Sequence, residues 1–348
     1  MITVLHLVGS AVDDFHADLS RLYAGSCLDA LADPERYDVH LAYVSPDGSW
    51  RFPADLGATS LASATAMSLA DAATHLGRLG IDVVVPQMFC LPGMTSYRAL
   101  FDLLGIPYLG NPPEVMAIAA DKAKARAIVA AAGVAVPAGE VLGPGGWPSL
   151  RLPVVVKPVD ADNSVGVSLV REPAEYDAAV ELALSHGGAA LVESYVELGR
   201  EVRCGIIVRD GELVCLPLEE YAVNSTTKPI RGRDDKLDRT ADGDLYLVAK
   251  NSSRAWIVGE DDPITGVVWA AARRCHVALG CRHYSLFDFR IDPDGNPWFL
   301  EAGLYCSYAP SSVIAVMAAA AGMDVTELFA AGLFELDLGG TRCLSTTH

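Results

Sequence analysis

The sequence predicts an α/β protein whose first part is a parallel, doubly wound sheet and whose remainder is built from smaller α+β units. Three observations carry this reading. Short apolar strands, "ITVLHLVGSA", "YDVHLAYVSPDG", "DVVVPQM" and "IPYLGN", alternate with helical stretches such as 71–79 and 97–104 in residues 1–110, the signature of a parallel sheet. Beyond them hairpin signals appear, at Asp210-Gly211 and Asp294-Gly295, because Asp-Gly between apolar runs tolerates the positive φ of a tight turn. With 348 residues, 51% of them hydrophobic, the chain can bury a large core divided among two or three domains.

The first strand runs into Val8-Gly9-Ser10, which lacks the G-x-G-x-x-G spacing of a dinucleotide site. Residues 111–132, "NPPEVMAIAADKAKARAIVAAA", read as one helix with a proline pair near its start and Gly133 at its end. "VAVPAGEVL" begins a strand, and "LPVVVKPVDADNSVGVSLV" reads as strand, loop, strand. "PAEYDAAVELALSHG" is an amphipathic helix closed by Gly187-Gly188. "AALVESYV" is a strand that leads into the Asp210-Gly211 hairpin. Residues 224–253 are rich in Lys, Arg, Asp and Thr without periodicity, so they read as a long functional loop or lid. A helix over "DPITGVVWAAARRCHVALG", the final hairpin, and helices at 311–321 and 325–334 close the chain. The expected divisions are 1–110, 111–193, 194–336 and a tail at 337–348.

A net charge of -18 argues against a nucleic-acid surface, which needs clustered Lys and Arg. No signal-peptide pattern opens the sequence, and the Ala-rich run 311–322 is too short for a membrane span. The eight cysteines show no C-x-x-C pairing, which fits reduced thiols in a cytoplasmic protein. The eight histidines show no metal spacing either, and His276 and His283 read as structural or substrate-contacting groups.

The final hairpin, "FDFRIDPDGNPWFLEAG", holds the most pointed chemistry. With its turn centred on Asp294 and Gly295, Asp288 lies directly opposite Glu301. Alternation then puts Phe287, Phe289, Ile291, Trp298, Leu300 and Ala302 on a core face, with Asp288, Arg290 and Glu301 on the other. Like charges facing each other destabilise a hairpin, and a cation between them is a natural remedy; a solvated outer face is the ordinary alternative. Lys157 ends the apolar strand "PVVVKP", where a lysine is costly to bury unless an anion meets it. The loop after it offers Asn163, Ser164 and Gly166, small groups that let backbone N–H donors approach phosphate, although the order is not that of a Walker A loop. Glu193 ends another apolar strand, and "LGREVR" brings Glu201 and Arg203.

Taken together, a lysine on a helix, a lysine on a strand before a small-residue loop, a glutamate hinge, a basic loop and an acid pair on a hairpin resemble the ATP-grasp superfamily, D-alanine–D-alanine ligase branch. "VVKP", "NSVGVS" and "LFDFRIDPDGNPWFLEAG" are the most specific segments. The resemblance implies an ATP-grasp fold preceded by the α/β domain, with ATP and Mg2+ as cofactors. It implies that Lys122 and Lys157 hold the α- and β-phosphates under a flap containing Asn163, Ser164, Val165 and Gly166. Glu193 and Val196 would line the adenine edge, Glu201 would contact the ribose, and Lys236, or less directly Lys228, would reach the γ-phosphate. Asp288 and Glu301 would hold magnesium. Two departures fall at the acceptor end. The family's Glu-x-Asn is here Glu301-Ala302-Gly303, and the family's arginine two residues before the aspartate is Leu286. Arg290 is the expected replacement for that arginine.

A finer resemblance, in "LHLVGSA", "DLSRLYA", "PQMFCLPGMTSYRALFDLLGIPYLGN", "ELGREVRCGIIV" and "GCRHYSLFDFRIDPDGNPWFLEAGLYCSYAP", is to the ligases that complete mycosporine-like amino acids. It implies phosphorylation of mycosporine-glycine by ATP and displacement of phosphate by the amine of serine or threonine, in a homodimeric enzyme. Ser312 would hold the incoming amino acid or cap the next helix. The competing readings are a D-alanine–D-alanine or other dipeptide ligase, and a non-catalytic ATP-binding regulatory protein.

Overall fold

The computed structural model describes residues 1–161, 164–231 and 254–336, with the backbone of 237–239 and 245–247. The first sheet contains β1 (Ile2–Gly9), β2 (Tyr37–Val44), β3 (Trp50–Arg51) and β4 (Val83–Pro86) in the order β3-β2-β1-β4. β1 pairs in parallel with β2 and β4, as expected for strands joined through helices α1 (Asp14–Ala30), α2 (Ala58–Ser63) and α3 (Leu69–Leu76), and α4 (Leu91–Met94) and α5 (Ser96–Leu104) follow β4. Gly9 is needed for close packing rather than for a cofactor: at φ +105 a Cβ there would meet the Val44 carbonyl at 2.0 Å. "IPYLGN" is not a full strand. Only Tyr108 bridges to Val84, because Gly110, at φ +99, turns the chain away beneath Arg98 and Tyr284.

The expected single helix over 111–132 is two, α6 (Pro113–Ala120) and α7 (Lys122–Ala131). Asp121 has extended backbone angles, and its carboxylate accepts the N–H of Lys124 as the cap of α7. Both helices pack into one core with Val202, Phe287 and Phe299 of the third sheet. The second sheet is antiparallel: β5 (Gly139–Leu142), β6 (Val154–Pro158), β7 (Ser168–Val170) and β8 (Ala190–Ser194), in the order β5-β8-β6-β7, covered by α8 (Tyr176–His186).

The third sheet holds β9 (Arg200–Arg209), β10 (Glu212–Cys215) and β11 (Glu219–Tyr221); β12 (Leu237–Arg239) and β13 (Leu245–Leu247) pair only with each other. It is completed by β14 (Ala255–Ile257), β15 (Tyr284–Ile291) and β16 (Pro297–Ala302), in the order β14-β11-β9-β15-β16 with β10 on β9. Helix α9 (Thr265–Leu279) shares the core of α6 and α7. Helices α10 (Val313–Ala320) and α11 (Val325–Phe334) share a core with Ile207 and Tyr284 of this sheet and Val4 and Val83 of the first. No single described helix is long and apolar enough to cross a membrane.

The β9–β10 hairpin turns as expected, on Asp210 at φ 54 and Gly211 at φ 76. The last hairpin differs from expectation in an instructive way. Asp288 does pair with Glu301 and Phe287 with Ala302, but the register then shifts, so that Phe289 pairs with Phe299 and Ile291 with Pro297. Leu300 is therefore the extra residue of a bulge. The connection is the five residues 292–296, closed by the Asp292 N–H to the Asn296 carbonyl at 3.1 Å. Phe299, not Trp298 or Leu300, takes the core face beside Phe287 and Phe289. Trp298 instead donates its indole N–H to Asp292 at 2.9 Å.

Candidate active site

The register of β9, β15 and β16 builds a charged patch at the head of the third sheet. Arg203 lies opposite Asp288 on one side and Glu301 opposite it on the other, while Arg290 lies opposite Glu201. Cross-strand neighbours of opposite charge pair. Arg203 holds Asp288 with two N–H donors, one of them at 2.8 Å, and Arg290 donates to Glu201 at 2.9 Å. Arg231 comes in from the basic loop and joins the two pairs, with Nε to Glu201 at 2.5 Å and an Nη to Asp288 at 2.9 Å. Its guanidinium lies 3.8 Å from the centre of the Tyr221 ring, a cation–π contact.

Asp288, Glu201 and Arg290 are all less than 5% exposed, so these charges stand only because they are paired. Burial pushes the Glu201 carboxyl up, but the guanidiniums of Arg231 and Arg290 outweigh it and hold the group below its usual range. Burial likewise opposes the charge on Arg203, and Asp288 keeps it firmly protonated.

Two cavities meet at this patch. The smaller, about 100 Å3, is lined by Lys157, Ser164, Glu193, Val196, Glu201 and Leu300. Lys157 reaches its neighbour across β8, placing Nζ 2.6 Å from Glu193, and Arg126 donates to the same carboxylate at 3.1 Å. Gly166 folds tightly over this end: a Cβ there would meet Pro158 at 2.8 Å, and its φ is +71. The larger cavity, about 680 Å3, runs from Phe15 and Tyr23 past Phe89 and Tyr305 to Leu286 and Ser312. Six residues line both cavities: Lys122, Ala161, Val165, Arg231, Asp288 and Glu301. Lys122 stands at the start of α7, with its backbone N–H on Val159 and Nζ 3.7 Å from Glu301. The break at Asp121 thus turns a residue expected on a helix face into the junction.

The structure therefore brings together Lys122, Lys157, Ser164, Val165, Glu193, Val196, Glu201, Asp288 and Glu301 around one slot, with Gly166 beside it. Asn163 and Lys236 lie outside the described residues. Lys228 lines the larger cavity. Ser312 stands at the N-terminus of α10 without capping it through its side chain and borders the larger cavity instead. Arg290 does not stand in for the arginine expected at 286. It is tied to Glu201, to the Val196 carbonyl at 3.2 Å and to the Pro229 carbonyl at 2.7 Å, and it lines the small cavity alone. The reason is strand spacing: four residues along a strand are about 13 Å, too far to reach back when Glu201 lies directly opposite. His276 pairs with Ser285 at 2.7 Å and His283 accepts the Gly110 N–H at 2.8 Å, so both are structural.

Sequence reasoning overlooked Arg126 and Arg231. Arg231 carried a faint signal, a basic residue at the root of the aperiodic loop; nothing in the sequence marked Arg126. As for a metal, Asp288 and Glu301 present facing oxygen donors, and among the described residues no group of three or more His, Cys, Asp and Glu forms a metal cage. Such a sparse, all-oxygen pair suits Mg2+, which takes one or two carboxylates and completes its shell with water and phosphate oxygens.

Residues 147–333 match the family model described as D-ala D-ala ligase C-terminus. The D-alanine–D-alanine ligase of Mycolicibacterium smegmatis is 31% identical over 345 residues, covering 90% of each chain. The chain belongs to the D-alanine–D-alanine ligase family. It is an ATP-dependent carbon–nitrogen ligase with the ATP-grasp fold, which removes the non-catalytic reading. ATP and Mg2+ are the cofactors of the family. The fold is shared with VanG D-Ala:D-Ser ligase from Enterococcus faecalis, with TM-score 0.77 and 22% identity over 96% of this chain and 99% of that one. It is shared too with a D-alanine–D-alanine ligase from Bacillus anthracis complexed with ATP, with TM-score 0.69 and 18% identity over 96% and 97% of the two chains.

Proposed function

We propose that this ligase phosphorylates mycosporine-glycine with ATP and condenses it with the amine of an amino acid of the serine or threonine type. The observation that carries the choice of acceptor is the larger cavity: about 680 Å3, walled by Phe15, Tyr23, Phe89 and Tyr305, with apolar Leu286 where the family resemblance leads one to expect an arginine. Aromatic walls suit a planar cyclohexenimine precursor better than two alanine-sized substrates. The smaller cavity would take the nucleotide, with Lys157 and Lys122 toward its phosphates. Asp288 and Glu301 would hold Mg2+, which supplies charge neutralisation on phosphate oxygens.

The acceptor is a vinylogous amide, so its ring oxygen carries electron density much as a carboxylate oxygen does. That oxygen attacks the γ-phosphorus, and the bond to the ADP oxygen breaks with its electron pair. The incoming amine then adds at the activated ring carbon, phosphate leaves, and loss of the amine proton yields the imine. What this chain contributes is alignment and fixed positive charge. Ser312 and Lys228, both bordering the larger cavity, are the groups proposed to hold the incoming amino acid and the transferred phosphoryl group.

The names of the curated relatives favour a second reading, a D-alanine–D-alanine or other dipeptide ligase. One experiment separates the two: incubate the protein with Mg2+, ATP and either mycosporine-glycine plus mixed amino acids or D-alanine alone, and measure phosphate and product mass. Phosphate release with D-alanine, and none with mycosporine-glycine, would replace the first reading with the second.

A further inference from the structure

We infer that Arg231 is the arginine that serves the transferred phosphoryl group. The inference rests on the ATP-dependent ligase assignment and not on the choice of acceptor. Of the three arginines at the head of the sheet, Arg203 lines only the larger cavity and Arg290 only the smaller, whereas Arg231 lines both. It stands with Asp288, Glu301 and Lys122 at the junction, where a phosphoryl group passing from the nucleotide slot to an acceptor must cross.

Its connections also set it apart. Asp288 and Glu201 each have a second guanidinium from a neighbouring strand, Arg203 at 2.8 Å and Arg290 at 2.9 Å. Arg231 is the shared extra cation, borne on the segment after Lys228 rather than on the sheet. Were Asp288 to hold Mg2+, its contact with Arg231 would be redundant, because Arg203 also holds that carboxylate. The contact with Glu201 and the Tyr221 ring keeps the guanidinium at the junction with N–H donors to spare. A planar fork of that kind matches the non-bridging oxygens of a phosphoryl group. In the step it serves, the acceptor oxygen forms its bond to the γ-phosphorus while the bond to the ADP oxygen breaks. The electron pair goes to ADP, and Arg231 meets the charge carried by the three equatorial oxygens.

The test is binding of MgADP with and without aluminium fluoride, a mimic of the transferring group, which needs no acceptor. The wild type should bind the fluoride complex more tightly than MgADP; a wild type that binds neither points to a failure of the nucleotide assignment instead. Arg231→Met should leave MgADP affinity within a few-fold, abolish the extra affinity conferred by fluoride, and lower kcat by about 10²-fold or more, as loss of a charge-stabilising donor does. Arg231→Lys keeps the charge that Glu201 and Asp288 need and should fold even if the methionine variant does not. It should retain MgADP binding and lose most of the fluoride gain, because a point charge cannot fork. The inference is overturned if either folded variant keeps the fluoride gain, or if MgADP affinity falls in step with it.

Discussion

Gly303 is where the acceptor end departs from the family pattern, and restoring asparagine there tests the placement of the metal. The backbone can accept the side chain: Gly303 has no positive φ, and a Cβ would have only Leu286 Cδ2 within 4 Å, at 3.8 Å, an ordinary contact. The Gly303 N–H to the Leu286 carbonyl, 2.8 Å, is unaffected by substitution. Removing glycine's freedom in the unfolded chain should add about 0.4–1 kcal/mol of stability, so Gly303→Asn should melt no lower than the parent. Gly303 lines the larger cavity together with Asp288 and Glu301, so an amide oxygen there is expected to add to their donor set. One added oxygen ligand worth about 1.4 kcal/mol would lower the Mg2+ concentration for half-maximal nucleotide binding about tenfold. Titrating Mg2+ against a fixed concentration of a non-hydrolysable ATP analogue, with the melting temperature read in parallel, makes the measurement. A variant that folds as well as the parent and needs as much Mg2+ would refute the assignment of Asp288 and Glu301 as the metal acids.

Stability should also fall with acid in a defined window. His6, His276 and His283 have folded pKa values lowered to about 4, 4 and 3, chiefly by burial, against an ordinary 6.5. The unfolded chain therefore binds more protons between these limits, and the neutral-histidine stability present above pH 6.5 is lost as pH falls toward 4, at up to about 1.4 kcal/mol per pH unit for each histidine. Urea midpoints that stay level from pH 7 to 5 would contradict this. Phe299→Ala, at a 1% exposed site between two phenylalanines, should cost about 3–5 kcal/mol, whereas Trp298→Ala should cost clearly less in the same denaturation assay. Lys157→Met should raise the Kd for ATP by at least about tenfold and lower stability modestly, by less than the 3–5 kcal/mol of a fully broken buried pair, because Arg126 still holds Glu193; unchanged ATP binding in calorimetry would remove Lys157 from the phosphate site.

Much of the fold was legible because its signals are local. The alternation of apolar strands with helices announced the parallel sheet, and Asp210-Gly211 announced a two-residue turn that the backbone angles match. What escaped were decisions made by tertiary contact. Asp121 interrupts a stretch with good helix formers on both sides, and only its extended backbone and its bond to Lys124 show why. The site was legible to the extent that its chemistry sits on regular strands: Lys157, Glu193, Glu201 and Asp288 are all strand residues. Arg126 and Arg231 were not, because a helix-face arginine and a loop arginine look solvated until the partner carboxylates 67 and 57 positions away are in place.

The bulge at Leu300 joins the structural and chemical requirements of the last hairpin. Without it, strict alternation opposite Asp288 would place Trp298 and Leu300 in the core and turn Phe299 toward the charged patch. Slipping by one residue between Glu301 and Phe299 moves Phe299 inward and leaves Leu300 and Glu301, consecutive in sequence, both bordering the small cavity. The proposed metal acid and the apolar wall of the small cavity thus come from one irregular step, with the aromatic core kept whole beneath it. Deleting Leu300 should restore a regular ladder in which Phe299, now adjacent to Glu301 in sequence, stays on the core face, while the small cavity loses the apolar wall that Leu300 supplies. The expected outcome is a protein that keeps a cooperative melt and binds MgADP more weakly, and a deletion variant that bound MgADP as tightly as the parent would show that the bulge is dispensable to the small cavity.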